Sequence, residues 1–194
     1  MTKSDDELHA AVRRGWDVAR RADPAPTVQY FERLLAQHPD SAIVRYHCAR
    51  AHDYAGEAHL AAPLYEHAFA AGLSGTELRR GLTSYGSTLR NLERFDEAVA
   101  ALERAHDLFP DDVLVICYLA LALQSAGHPA RALAHMLDLA LARIDDPDLQ
   151  ANRWALGNYT AALLHGSWCP DGAESLELTG PLLDSASADR TAPA

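Results

Sequence analysis

Lysine is nearly missing from this 194-residue chain: of the 17 basic residues, all but Lys3 are arginine, and the net charge is −10. General nucleic-acid binding needs a basic surface that displaces counterions from phosphates, so an acidic chain argues against it. Cysteine is scarce as well. Cys48, Cys117 and Cys169 are odd in number and far apart, which outlines no disulfide framework and points to a reducing cytoplasm. Aromatic residues make up only 7% of a composition that is 48% hydrophobic and visibly rich in alanine, a balance suited to close-packed helices rather than a sheet. The longest apolar run, Val113–Leu123, is 11 residues, about half the ~20 needed to span a bilayer. The opening Met-Thr-Lys-Ser-Asp-Asp-Glu is polar and has no apolar signal core.

Chemistry-bearing motifs are also missing. There is no Gly-x-x-x-x-Gly-Lys-Ser/Thr loop, no Gly-x-Gly-x-x-Gly and no Gly-x-Ser-x-Gly elbow. Ten histidines are present, but no His-x-x-x-His or Cys-x-x-Cys pair occurs. His47 and His52, five apart, point to different faces of a helix, so no metal site is expected. The expectation is a non-enzymatic chain that uses no cofactor.

What the chain has instead is periodicity. Gly86, Ala98 and Ala105, with Pro110 after them, mark one unit, and the first three recur one repeat later as Ala120, Ala132 and Leu139, with Ala98 and Ala132 34 residues apart. One repeat earlier stand Ala49, Ala61 and Ala68; Ala61 and Ala98 are 37 apart, which places about three extra residues in the turn at Gly72–Thr76. A degenerate first copy carries Gly15, Thr27, Leu34 and Pro39, and Thr27 to Ala61 is again 34. A 34-residue unit with small residues at fixed offsets is a helix–turn–helix repeat. Small residues recur because two helix backbones must approach closely where they cross, Gly86 and Ala98, at positions 8 and 20 of the unit counted from Arg79, facing one another. Larger residues such as Leu82, Tyr85, Leu89, Phe95, Val99 and Leu102 fill the holes between them.

The run Tyr85-Gly86-Ser87-Thr88-Leu89-Arg90-Asn91-Leu92-Glu93-Arg94-Phe95-Asp96-Glu97-Ala98 carries a Gly-Ser-Thr-Leu-Arg-Asn-Leu core. With Ala68-Phe69-Ala70-Ala71-Gly72-Leu73-Ser74-Gly75, it resembles the group 5 domain of bacterial tetratricopeptide-repeat proteins. The resemblance covers residues 8–165. It departs from the pattern in having no Trp at position 4, Glu93 in place of a common Gly at the inter-helix turn, and Arg14 at a usually apolar position. It implies an all-α solenoid: a leader at 1–7, repeats at 8–41, 42–78, 79–112 and 113–146, and a capping helix at 147–165. An acidic tail at 166–194 would follow, bearing Leu176, Leu178, Leu182 and Leu183. Local signals agree with this division. Proline closes the first helix, Leu8 to Ala22, at residues 23–26. Ser74-Gly75-Thr76-Glu77 reads as a capping box, and Asp112 and Asp146 as N-caps.

In the family, the first helix of each pair lines the inner curve. Carried onto this chain, that rule nominates Arg13, Trp16 and Arg20 in the first repeat and Tyr46, His47, Arg50 and Tyr54 in the second. It adds Arg80, Ser87, Arg90 and Asn91 in the third, and Tyr118 and Leu121 in the fourth. Arginine forks pair with carboxylates and rigid aromatics offer contact area at low entropic cost. The expectation is therefore a protein-interaction scaffold that takes an acidic peptide or protein segment in its groove, without nucleic acid or membrane as partner. Two alternatives stay open: a self-associating scaffold, for instance a homodimer, and a regulator that senses a peptide or metabolite. The fourth repeat adds a question. Its first helix is apolar all round, which calls for cover from a partner, a second copy or the leucine-bearing tail.

Overall fold

Ala-rich segments with turn residues every 13 to 17 positions have nowhere to bury their apolar stripes except against one another, and the computed structural model, which describes residues 3–166, shows how they do so. Ten helices and no strand occur among the described residues. They pair as α1 (Lys3–Asp17) with α2 (Ala25–Gln37), α3 (Ala42–Tyr54) with α4 (Ala58–Ala70), α5 (Gly75–Asn91) with α6 (Phe95–Leu108), and α7 (Val113–Ser125) with α8 (Pro129–Arg143). The short α9 (Pro147–Ala151) then leads into α10 (Arg153–His165), which packs on α8. Each pair stacks on the next through its second helix, α2 on α3, α4 on α5 and α6 on α7, while α3, α5 and α7 run side by side. This is the expected α-solenoid. No described helix is long and apolar enough to cross a membrane.

Small residues hold the seams. A Cβ added at Gly86 would lie 2.4 Å from Leu102 Cγ, and one at Gly15 would lie 2.6 Å from Phe31 Cζ. The position-8 glycine thus faces position 24 of its own pair, Leu102 or Phe31, rather than the position-20 residue the repeat pattern suggested. Ala61 and Ala98, at position 20, are fully buried nonetheless. Around them the core is continuous from pair to pair: Leu89, Val99 and Leu102 of the third pair pack with Leu119, Ala122 and Leu123 of the fourth.

The helix ends follow local chemistry. Asp112 Oδ1 accepts from the Val115 amide at 3.0 Å, and Asp146 Oδ1 accepts from the Leu149 amide at 2.9 Å. Ser74 sits at the N-cap of α5 in extended conformation, but its side chain makes no capping bond, so the expected capping box does not form. The three extra residues do not enlarge a turn; they lengthen α5 to 17 residues against 13 in α3 and α7. The first helix also shifts. It starts at Lys3, inside the expected leader, and stops at Asp17 rather than Ala22, with an isolated bridge between Arg20 and Asp23 closing the turn. The expected acidic tail lies outside the described residues, apart from Gly166.

Equivalent inter-helix turns need a left-handed residue. Gly56 and Gly127 take φ of 81° and 82° there, and Glu93 is forced to 60°. A β-carbon in that region is strained by about 1–2 kcal/mol. Glu93→Gly should therefore raise stability by up to about 1 kcal/mol, the strain relieved being partly offset by glycine's extra unfolded-state entropy. Gly86→Val should do the opposite. Forcing methyl groups against the fully buried Leu102 is expected to cost about 1–3 kcal/mol in urea unfolding.

Candidate functional site

Residues four and seven apart on a helix share a face, and three such series converge between the inner helices. Tyr46, Arg50 and Asp53 come from α3, Arg80, Ser84 and Ser87 with Arg79 and Thr83 from α5, and Leu114 and Tyr118 from α7. They enclose an open cavity of about 240 Å³. Three guanidinium groups and one carboxyl line it. Arg79 is committed to an ion pair with Asp112, so it braces the start of α7 rather than facing a ligand. Arg80 is exposed, and Arg50 is held in place by aromatics. Its guanidinium carbon lies 4.5 Å from the Trp16 ring centroid and 5.7 Å from that of Tyr46. Stacking of this kind orders a long side chain before any ligand arrives and leaves its edge free to donate.

A buried aromatic wall supports that arginine. Trp16 packs on Phe31 at 5.0 Å between ring centroids and donates through Nε1 to His47 Nδ1 at 3.1 Å. His47 is 8% exposed, so it orients Trp16 instead of meeting a ligand. Burial, reinforced by the nearby charges of Arg50, His9 and Arg80, holds its imidazole down at about 3. It is neutral throughout the physiological range, which is what acceptance from Trp16 requires. His52 serves elsewhere, bonded to Glu57 at 2.7 Å, so the two histidines face separate partners as their spacing suggested. Asp53 is half-buried. Burial pushes its carboxyl up, against the lowering effect of the hydrogen bond from Thr88 Oγ1 at 3.1 Å and of Arg50 and Arg21. Cys48 lies beneath this layer, 1% exposed, its thiol pushed up to about 11 by burial.

Five of the thirteen nominated residues, Tyr46, Arg50, Arg80, Ser87 and Tyr118, line the cavity. Trp16 and His47 lie behind it as support. Arg13 and Asn91 are exposed beyond its lining. Arg20 falls past the end of α1, in the turn. Tyr54 is covered by Arg21, whose guanidinium carbon sits 4.8 Å from its ring. Arg90 reaches toward Ser125 Oγ at 3.5 Å, and Leu121 belongs to a different groove. Sequence reasoning did not nominate Arg79 or Arg21. For Arg79 a signal existed in its position one repeat before Val113, where it meets the N-cap Asp112. For Arg21 there was none, because its place depends on where α1 stops.

Stacked helix pairs with a side-chain-lined hollow along the row of first helices define a class: an α-solenoid of the helical-repeat type, a protein-interaction scaffold. Residues 42–163 match the Tetratrico peptide repeat family, and the chain belongs to that family. The fold is similar to a solved structure from the functional characterization of Pseudomonas aeruginosa pilF, with a TM-score of 0.63 at 19% identity, over 90% of this chain and 80% of that one. No curated protein matches the sequence.

Neutral His47 makes stability depend on pH with a definite sign. Its folded value lies below the ordinary 6.5, so the unfolded chain takes up the proton first and stability falls as pH drops from about 6.5 toward 3. His47→Gln should reduce that slope by up to about 1.4 kcal/mol per pH unit relative to the parent, read as the difference between urea-unfolding free energies at pH 6 and pH 4.

Proposed function

We propose that this chain is a non-enzymatic docking module that binds a carboxylate-bearing peptide segment in the cavity between α3, α5 and α7. The family supports protein interaction in general. The acidic character of the ligand is inferred from one observation: Arg50, stacked on Trp16 at 4.5 Å, shares the cavity with the exposed Arg80. Two guanidinium groups on adjacent helices form a two-point receptor for carboxylates, and charge-assisted hydrogen bonds to such groups contribute about 1.5–3 kcal/mol each. Asp53 is the one carboxyl in the lining; it accepts from Thr88 Oγ1 at 3.1 Å, and burial pushes its carboxyl up. The hydroxyl groups of Ser84, Ser87 and Tyr118 supply donors and acceptors for a peptide backbone, while Leu114 adds an apolar floor. An extended peptide is the natural ligand, because the lining runs across three parallel helices rather than closing into a pocket.

Fluorescein-labelled decamers rich in Asp and Glu, made with free and with amidated C-termini, provide the test. Binding measured by anisotropy should weaken at least tenfold in Arg80→Glu and should weaken as salt rises from 0.15 to 0.5 M. Loss on amidation alone would assign the contact to the terminal carboxylate, and retention would assign it to side chains. Equal affinity in the parent and in Arg80→Glu would reject the cavity as the binding site.

A further inference from the structure

A second groove lies at the end of the array, independent of the arginine cavity. Cys117, Ala120, Leu121 and Gln124 of α7 and Pro129, Ala132, Leu133 and Met136 of α8 enclose about 500 Å³ of mostly apolar space. Leu121, Leu133 and Met136 are 47%, 51% and 40% exposed. One repeat earlier the same seat is filled. Val99 and Leu102, 34 residues before Leu133 and Met136, are 8% and 1% exposed because α7 lies across them with Leu119 and Leu123. The fourth pair therefore presents a ready-made seat for one more apolar segment. The expected capping helix does not take it. α10 packs against a different face of α8, where Arg153 donates to the Leu141 carbonyl at 2.8 Å and Leu164 shares a cavity with His135, Asp138, Leu139 and Ala142. No residue of α9 or α10 lines the α7–α8 groove.

We infer that residues 170–184 of this same chain dock in the α7–α8 groove through Leu176, Leu178 and Leu182. Three observations favour this occupant. The segment follows directly on α10, whose last turn already lies against the C-terminal half of α8. Nine extended residues, Ser167 to Ser175, reach about 30 Å, more than the ~22 Å length of the 15-residue α8, so the leucines can reach the groove from there. Finally, Leu176, Leu178 and Leu182 are separated by even numbers, which puts them on one side of an extended strand. Tethering gives the segment an effective concentration on the order of millimolar, so even a weak contact is favoured over a free ligand or a second chain.

Cys117 is a native reporter in this groove, while Cys48 is buried with a raised thiol value. In a Cys169→Ser background, the full-length chain is alkylated with N-ethylmaleimide and each cysteine followed by peptide mass spectrometry. Replacing Leu176, Leu178 and Leu182 together by Ser should speed Cys117 alkylation about tenfold or more while Cys48 stays slow. A synthetic peptide of residues 170–186 at millimolar concentration should restore the slow rate. An unchanged Cys117 rate overturns the inference, as does a rise shared with Cys48. Protection that grows with protein concentration alongside a doubling of mass by light scattering assigns the groove to a second copy and overturns it too.

Discussion

The structure depends on how closely two helices can approach at the seam of each pair. At Gly86 the space for a Cβ is already taken by Leu102, and at Gly15 by Phe31. Close approach sets the depth of every layer, and because the core passes from one pair to the next, it also sets how far the first helices stand apart. A bulkier residue at one seam would shift the inner row as well as loosen the pair. The repeated small residue is thus a constraint on the inner face, although it lies beneath that face.

The inner cavity is a consequence of this stacking. Successive first helices run side by side, so residues spaced by four and seven on α3, α5 and α7 meet across short gaps. An acidic chain thus brings Arg50 and Arg80 into one cavity, where Asp53 is the carboxyl that shares the lining among the described residues. Behind Arg50 the Trp16, Phe31 and His47 cluster acts as a rigid backing, with the histidine held neutral by burial so that it can accept from the indole. This wall orders the Arg50 guanidinium. The first repeat, whose sequence is the most degenerate, meets the cavity wall through Trp16, which packs on Phe31 and stacks with Arg50.

Much of this was legible beforehand. The 34-residue spacing of Ala98 and Ala132, the N-caps at Asp112 and Asp146, and the apolar circumference of α7 each reflect short-range chemistry that a linear reading can follow. Where the structure differs, the differences share a cause. Arg20 lies past the end of α1 at Asp17, since nothing local to residues 18–22 marks the stop before the prolines. His47 sits at a face position by register, yet Trp16 from another repeat covers it. Arg90 has the right register too, but it reaches toward Ser125 at the end of α7.

By itself the sequence determined the repeat unit, the pairing of helices and the kind of side chain offered along the inner row, because these follow from periodicity and backbone sterics. Only the tertiary structure decided which of those side chains remain free. Arg79 is spent on Asp112, His47 is buried by Trp16, and α10 settles on a face of α8 that leaves Leu133 and Met136 open. Each outcome depends on contacts between segments tens of residues apart, and a register that names a helix face carries no information about what another repeat lays across it.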